Sequence, residues 1–168
     1  TGQVIVRGDP VPVNVDAYIP GKIVKIMPRE GVVIETEAAF VQGIFGMGGE
    51  TYGKLKVVVN SPEEVLDAEK ILPEHKGWVI VGGSEITLEA LRKAVQVGVS
   101  GIVAGGVRHL ALREFMGRDI GVAITGEEEL GVTMIITEGF GKMTMSQRTF
   151  DLLKSFDGFT VHINGATQ

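Results

Sequence analysis

The sequence predicts an α/β protein with an added all-β module: a small N-terminal β barrel or sandwich over residues 1–59, then a mostly parallel, three-layer α/β domain over residues 60–168. Three observations carry this. The stretch Gly77 to Val107 reads as an apolar run Trp78 to Val81 ending in Gly82-Gly83-Ser84, a helical pattern from Thr87 to Val97, and a second apolar run Gly101 to Ala104 ending in Gly105-Gly106. That order is a strand, a crossover helix and a parallel strand, and both strands are too uniformly apolar to leave one face in water. Before Ser61 there is no helical period, only short β-branched runs broken by Pro and Gly. At Ser61-Pro62-Glu63-Glu64 the pattern changes, which puts the domain boundary near Val59 to Ser61.

Taken in order, the β module offers strands at Val4 to Arg7, Val13 to Asp16, Gly21 to Met27, Val32 to Thr36, Phe40 to Phe45 and Lys54 to Val59. Pro28-Arg29-Glu30-Gly31 joins the third and fourth as a hairpin turn, with Pro fixing φ and Gly free to take a positive one. Gly43 to Gly53 is the densest glycine cluster, but no helix and no Lys-Ser/Thr pair follows it. It therefore reads as a wide β connection exposing Phe45, Met47 and Tyr52, not as a phosphate loop.

Beyond the boundary, a hydroxyl cap at Ser61, Pro62 at the first helical position and Glu64 three residues after the cap predict a helix over 62–72, ended by Pro73. Thr87 caps the next helix, whose stripe is Leu88, Leu91, Ala94 and Val95, and Gly98 stops it. A helix from about Arg108 to Met116 turns Leu110, Ala111, Phe115 and Met116 to the core and stops at Gly117. Gly121 to Thr125 and Val132 to Thr137 read as strands around an acidic turn at Gly126 to Gly131. Thr144-Met145-Ser146-Gln147 opens a helix through Phe156, and Phe159 to Ile163 is a fifth strand.

Composition limits the function. A formal net charge of -5 and a pI near 5.2 supply no basic field for a polyanion, so nucleic acid is not expected as a partner. With no cysteine there is no disulfide, thiolate metal site or cysteine nucleophile, which fits a cytoplasmic protein. No apolar run reaches the roughly 18 residues needed to span a bilayer, so no membrane partner is expected. Thr1 at the start and Asn164 to Gln168 directly after a strand read as the ends of a piece of a longer protein, so a homo-oligomer or a larger-protein context is possible. The 24 glycines stand singly or in pairs at the ends of apolar runs, where they punctuate elements.

That punctuation defines the candidate site. The strand exits carry Gly82, Gly83 and Ser84; Gly105 and Gly106; Thr125, Gly126 and Glu127; Thr137, Glu138 and Gly139; and Asn164 and Thr167. In open α/β sheets ligands sit outside the carboxyl ends of the strands, where glycine lets backbone approach them. A small-ligand-binding module, sensing or scaffolding, is therefore the leading expectation; its ligand and any cofactor are unknown, and enzyme activity is left open. One alternative is an enzyme using Glu127 and Glu138 for Mg²⁺-assisted or acid-base chemistry, although the acidic run 127–129 reads first as a solvated turn. Another is a subunit-assembly module, for which Phe140 to Met145 supplies an apolar contact loop. His75, His109 and His162 are not spaced as a metal pair, and no Gly-x-Ser-x-Gly elbow surrounds Ser84 or Ser146.

Resemblances add shape but little chemistry. Ile19-Pro20-Gly21-Lys22-Ile23-Val24-Lys25-Ile26 resembles the opening strand of barrel-sandwich hybrid domains of the biotinyl and lipoyl carrier type, and residues 19–58 take their expected shape from it. The modifiable lysine of those carriers has no counterpart at the Pro28 to Gly31 tip. Val79 to Gly83 with Ala94 to Gly106 is similar to the last two strands of phosphate-binding TIM barrels, and residues 77–168 as a whole resemble a Rossmann-like domain. Ile135 to Gly141 and Asn164 to Gln168 are similar to a group of conserved bacterial proteins, a likeness that implies no reaction.

Overall fold

A computed structural model describes residues 14–117 and 131–166. The chain divides into two compact units, Thr1–Glu37 and Ala38–Gln168. In the first, β1 (Lys22–Met27) and β2 (Gly31–Glu35) form the expected antiparallel hairpin. Its turn closes through the Glu30 N–H on the Met27 carbonyl at 3.1 Å, with Arg29 in the left-handed region. The register pairs Ile23 with Ile34 and Ile26 with Val32. The expected strand at Val4 to Arg7 lies outside the described residues, and 14–16 are not a strand.

The second unit is one mixed sheet of eight strands: β3 (Phe45–Met47), β4 (Glu50–Val57), β5 (Val65–Leu66), β6 (Val79–Val81), β7 (Glu85–Ile86), β8 (Gly101–Val107), β9 (Thr133–Phe140) and β10 (Thr160–Asn164). Neighbours run β10-β4-β6-β8-β9-β3, with β7 prolonging the line of β6 beside β8 and β5 outside β7. Pairings among β4, β6, β8 and β9 are parallel; β3 and β10 pair antiparallel. Only Gly48-Gly49 separates β3 from β4, yet these two strands lie near opposite ends of that order. The sheet must therefore curl until its ends meet, and they do meet: a Cβ on Gly46 would stand 2.7 Å from the Gly165 carbonyl oxygen.

This overturns the expectation of a three-layer α/β domain: the sheet is curled and mixed, although most of its pairings are parallel. Of the described residues 35% lie in strands and 24% in helices, so sheet and not helix dominates, and the described residues hold three α-helices. One local reading failed for an identifiable reason. The helix expected over 62–72 is absent: Val65–Leu66 pairs instead with Glu85–Ile86, and only a 3-10 turn, Ala68–Lys70, follows. An 11-residue helix is marginal alone, so tertiary pairing outweighs its capping signals. Glu64 does cap, but as a turn, accepting the Asn60 N–H at 2.7 Å. That bond, with Lys70 beside it, holds the Glu64 carboxyl below its usual range.

The last strand runs antiparallel because of where the third helix lies. Helices α1 (Leu88–Val97), α2 (His109–Met116) and α3 (Gln147–Ser155) follow the expected boundaries closely, though α3 is capped by Ser146 and not Thr144. Thr87 caps α1 by accepting the Ala90 N–H, worth about 1 kcal/mol, and Gly98 ends it in the left-handed region. The N–H of Ser146 reaches Glu138 near the end of β9, while Asp157, just past α3, accepts the Val57 N–H at the end of β4. Both ends of α3 thus lie at the carboxyl side of the sheet. A strand leaving from there can only run back.

Helices α1 and α2 bury Ala90, Leu91, Ala94 and Leu112 against Ile80, Ile102, Ala104, Met134 and Ile136. On the other face α3 buries Phe150 against Leu55, Val79, Val81, Val103 and Ile163. Alternation along β8 explains the division, since Ile102 and Val103 point to opposite faces. Two side chains depart from expectation. Met47, expected at the surface, is fully buried, whereas Leu110 is exposed and Leu112 is the fully buried residue of α2, with Phe115 and Met116 packed against the core as expected.

His75 is buried in the turn before β6, its Nδ1 accepting the Leu72 N–H at 3.1 Å. Burial pushes its pKa down; Glu74 opposes this and Lys56 adds to it. The unfolded chain then binds the proton more readily than the folded one, so stability present above the ordinary histidine range is lost as pH falls through it toward the depressed value. Denaturant midpoints should fall between pH 7 and 5.5 more steeply for the wild type than for His75→Gln. Parallel profiles would remove His75 as the cause.

Candidate functional site

The parallel strands β6, β8 and β9 bring their carboxyl ends to one border, and most of the glycine-marked residues gather there. Gly82 donates to the Val103 carbonyl and Gly105 to the Gly83 carbonyl, so Gly82-Gly83 bridges β6 to β7 alongside β8. Gly105 and Gly106 are not in an exit at all; they lie inside β8, and Thr137, Glu138 and Gly139 lie inside β9, with Gly106 opposite Gly139. Asn164 is elsewhere. It pairs with Glu50 at the start of β4, at the opposite end of the sheet, because β10 is antiparallel. Thr125, Gly126, Glu127 and Thr167 lie outside the described residues.

The chain itself occupies the space these glycines leave. A Cβ on Gly105 would run into the Met143 carbonyl, and would stand 2.6 Å from the Gly83 oxygen and 2.8 Å from the Met145 nitrogen. On Gly83 it would meet the carbonyls of Ser61, Pro62 and Glu64, and on Gly106 that of Gly141. The Met143 N–H donates to the Ser84 carbonyl and the Gly141 N–H to the Val107 carbonyl, both at 2.8 Å. Segment 141–145 is thus stitched across the strand ends. Ser84 is fully buried and donates its hydroxyl to the Glu63 carbonyl at 2.6 Å; Thr137 Oγ1 reaches the Ala104 carbonyl at 3.4 Å. Glu138 accepts the Ser146 N–H at 2.9 Å, placing its charge at the start of α3, where a helix favours an anion. Among the described residues no three His, Asp or Glu side chains are grouped to hold a metal ion.

Two features remain open at this border. Glu85, its side chain 6% exposed, faces Arg108, which is 67% exposed; Nε lies 2.7 Å from Oε1 and Nη2 3.4 Å from Oε2. Arg108 precedes α2 without capping it through its side chain. Beside it is an apolar cluster. The Phe140 ring lies 5.3 Å from that of Phe45 and 6.4 Å, edge-on, from His109. Around Gly139, Ile44 Cδ1 and Met143 Cγ come within 3.6 and 3.8 Å of the same point. Ile44, Phe140 and Met143 are 64, 48 and 42% exposed; Phe140 packs with Phe45 and His109, whereas Ile44 and Met143 meet on the other side of the strand, at Gly139. The apolar character of Phe140 to Met145 is legible along the chain; the joining of Ile44 and the pairing of Glu85 with Arg108, 23 residues apart, are not.

Comparison with known protein families, with curated proteins and with solved structures gives no match. The described residues contain no helix long and apolar enough to cross a membrane.

Proposed function

We propose that the protein is an interaction module that engages a protein partner through the apolar surface of Ile44, Phe140 and Met143, with Leu110 as a candidate contributor from α2. The single observation that supports this reading is the exposure of three large apolar side chains at the end of β9, Phe140 on one side of the strand and Ile44 with Met143 on the other. Grouped apolar residues of this kind mark contact sites more often than scattered ones do. Aromatic and methionine side chains are those enriched at such contacts. Phe140→Ser and Ile44→Ser should leave the fold intact and abolish co-purification of a specific partner from the native source. A partner retained equally by both variants would refute the assignment of this surface.

A small-molecule reading rests on a different observation: the Arg108 guanidinium is two-thirds exposed over its buried carboxylate, beside His109 and Phe140. A carboxylate or phosphate ligand with an apolar body would suit that combination. Thermal-shift measurements with nucleotides, sugar phosphates and carboxylates, with and without Mg²⁺, separate the two readings, since a ligand bound only to the folded state raises the midpoint with its concentration.

A further inference from the structure

We propose that β10 is a dimerisation edge, along which two copies of this chain pair antiparallel about a two-fold axis through His162. Among the described residues the strand has one neighbour in the sheet, β4. The Leu55 N–H donates to the Phe159 carbonyl. Since hydrogen-bonded pairs alternate along an antiparallel ladder, the pairs Val161–Gly53 and Ile163–Thr51 carry the bonds to β4. The backbone groups of Thr160, His162 and Asn164 therefore point away from the sheet. Among the described residues no other backbone group bonds them. Nothing in the strand defends this edge: Thr160-Val161-His162-Ile163-Asn164 holds no proline and no Lys, Arg, Asp or Glu, and three of its five residues are β-branched.

The exposed side chains beside the edge favour a second copy over an arbitrary strand. Thr160 stands opposite Lys54, His162 opposite Tyr52 and Asn164 opposite Glu50 in the β10–β4 register. Pairing about His162 sets Thr160 against Asn164 of the other copy. Each outer row then reads Lys54, Thr160, Asn164, Glu50, a cation at one end and an anion at the other. The central row becomes an aromatic ladder, extending the existing Tyr52–His162 contact, whose ring centroids are 5.7 Å apart, by its own two-fold image. Three facing pairs supply about six inter-chain hydrogen bonds. The arrangement is isologous and closes on itself.

Sedimentation equilibrium and light scattering of the whole chain test this. The wild type should dimerise in the micromolar range. His162→Pro removes an outward N–H that the sheet does not use, and His162→Glu sets like charges against each other across the axis; each should raise the dissociation constant about tenfold or more, with circular dichroism unchanged. If His162→Pro does not fold, His162→Glu carries the test. A wild type monomeric throughout that range overturns the proposal, as does a dimer that these substitutions leave intact.

Discussion

Alanine at position 105 is expected to destabilise the second unit by about 3 kcal/mol, at the upper end of what overpacking a core costs. The added methyl group would meet backbone on every side: the Met143 carbonyl, the Gly83 oxygen and the Met145 nitrogen. Backbone cannot swing aside as a side chain can. Relief would require lifting segment 141–145 from β8, losing the bonds from Gly141 to Val107 and from Met143 to Ser84. Gly49 supplies the control. Among the described residues, apart from its own chain neighbours, no atom lies within 4 Å of its Cβ position, so Gly49→Ala should be neutral, or stabilising by about 0.5 kcal/mol through the unfolded chain. Equilibrium denaturation of both variants decides the matter; equal midpoints would mean that segment 141–145 is not held against the strand ends.

Arg108→Ala is the second large effect. It leaves the Glu85 carboxylate, 6% exposed, without its cation. Orphaning a fully buried partner costs about 3–5 kcal/mol, but a guanidinium that is 67% exposed is screened by water, so about 2 kcal/mol is expected. Glu85→Gln, which removes the buried charge, should cost less than Arg108→Ala. The double variant should cost less than the sum of the two. Additive losses in a double-mutant cycle would show that the two side chains are not coupled.

Glycine pairs at 82–83 and 105–106 mark places at this border where the backbone is approached closely. What approaches is the chain's own segment 141–145 and, at Gly83, the carbonyls of Ser61, Pro62 and Glu64. Composition at a strand end cannot distinguish a ligand from a returning loop, because both need the same missing Cβ. The separation in sequence between Gly105 and Met143 hides this contact.

Local signals decided the elements whose stability is local. Thr87 and Gly98 bound α1, Gly117 ends α2, the turn at Pro28 to Gly31 makes the hairpin, and the uniformly apolar runs at 79–81 and 101–104 are buried on both faces, all as their residues dictate. Tertiary structure alone decided what depends on partners distant along the chain. It turned the helix signals at Ser61 to Glu64 into a strand beside Glu85–Ile86, sent β10 back antiparallel from α3, and curled the sheet so that Gly46 meets Gly165. Capping, turn and burial preferences act over a few residues and are written in them; strand direction and sheet closure are set by which distant backbone groups find each other, and no local run of residues specifies that.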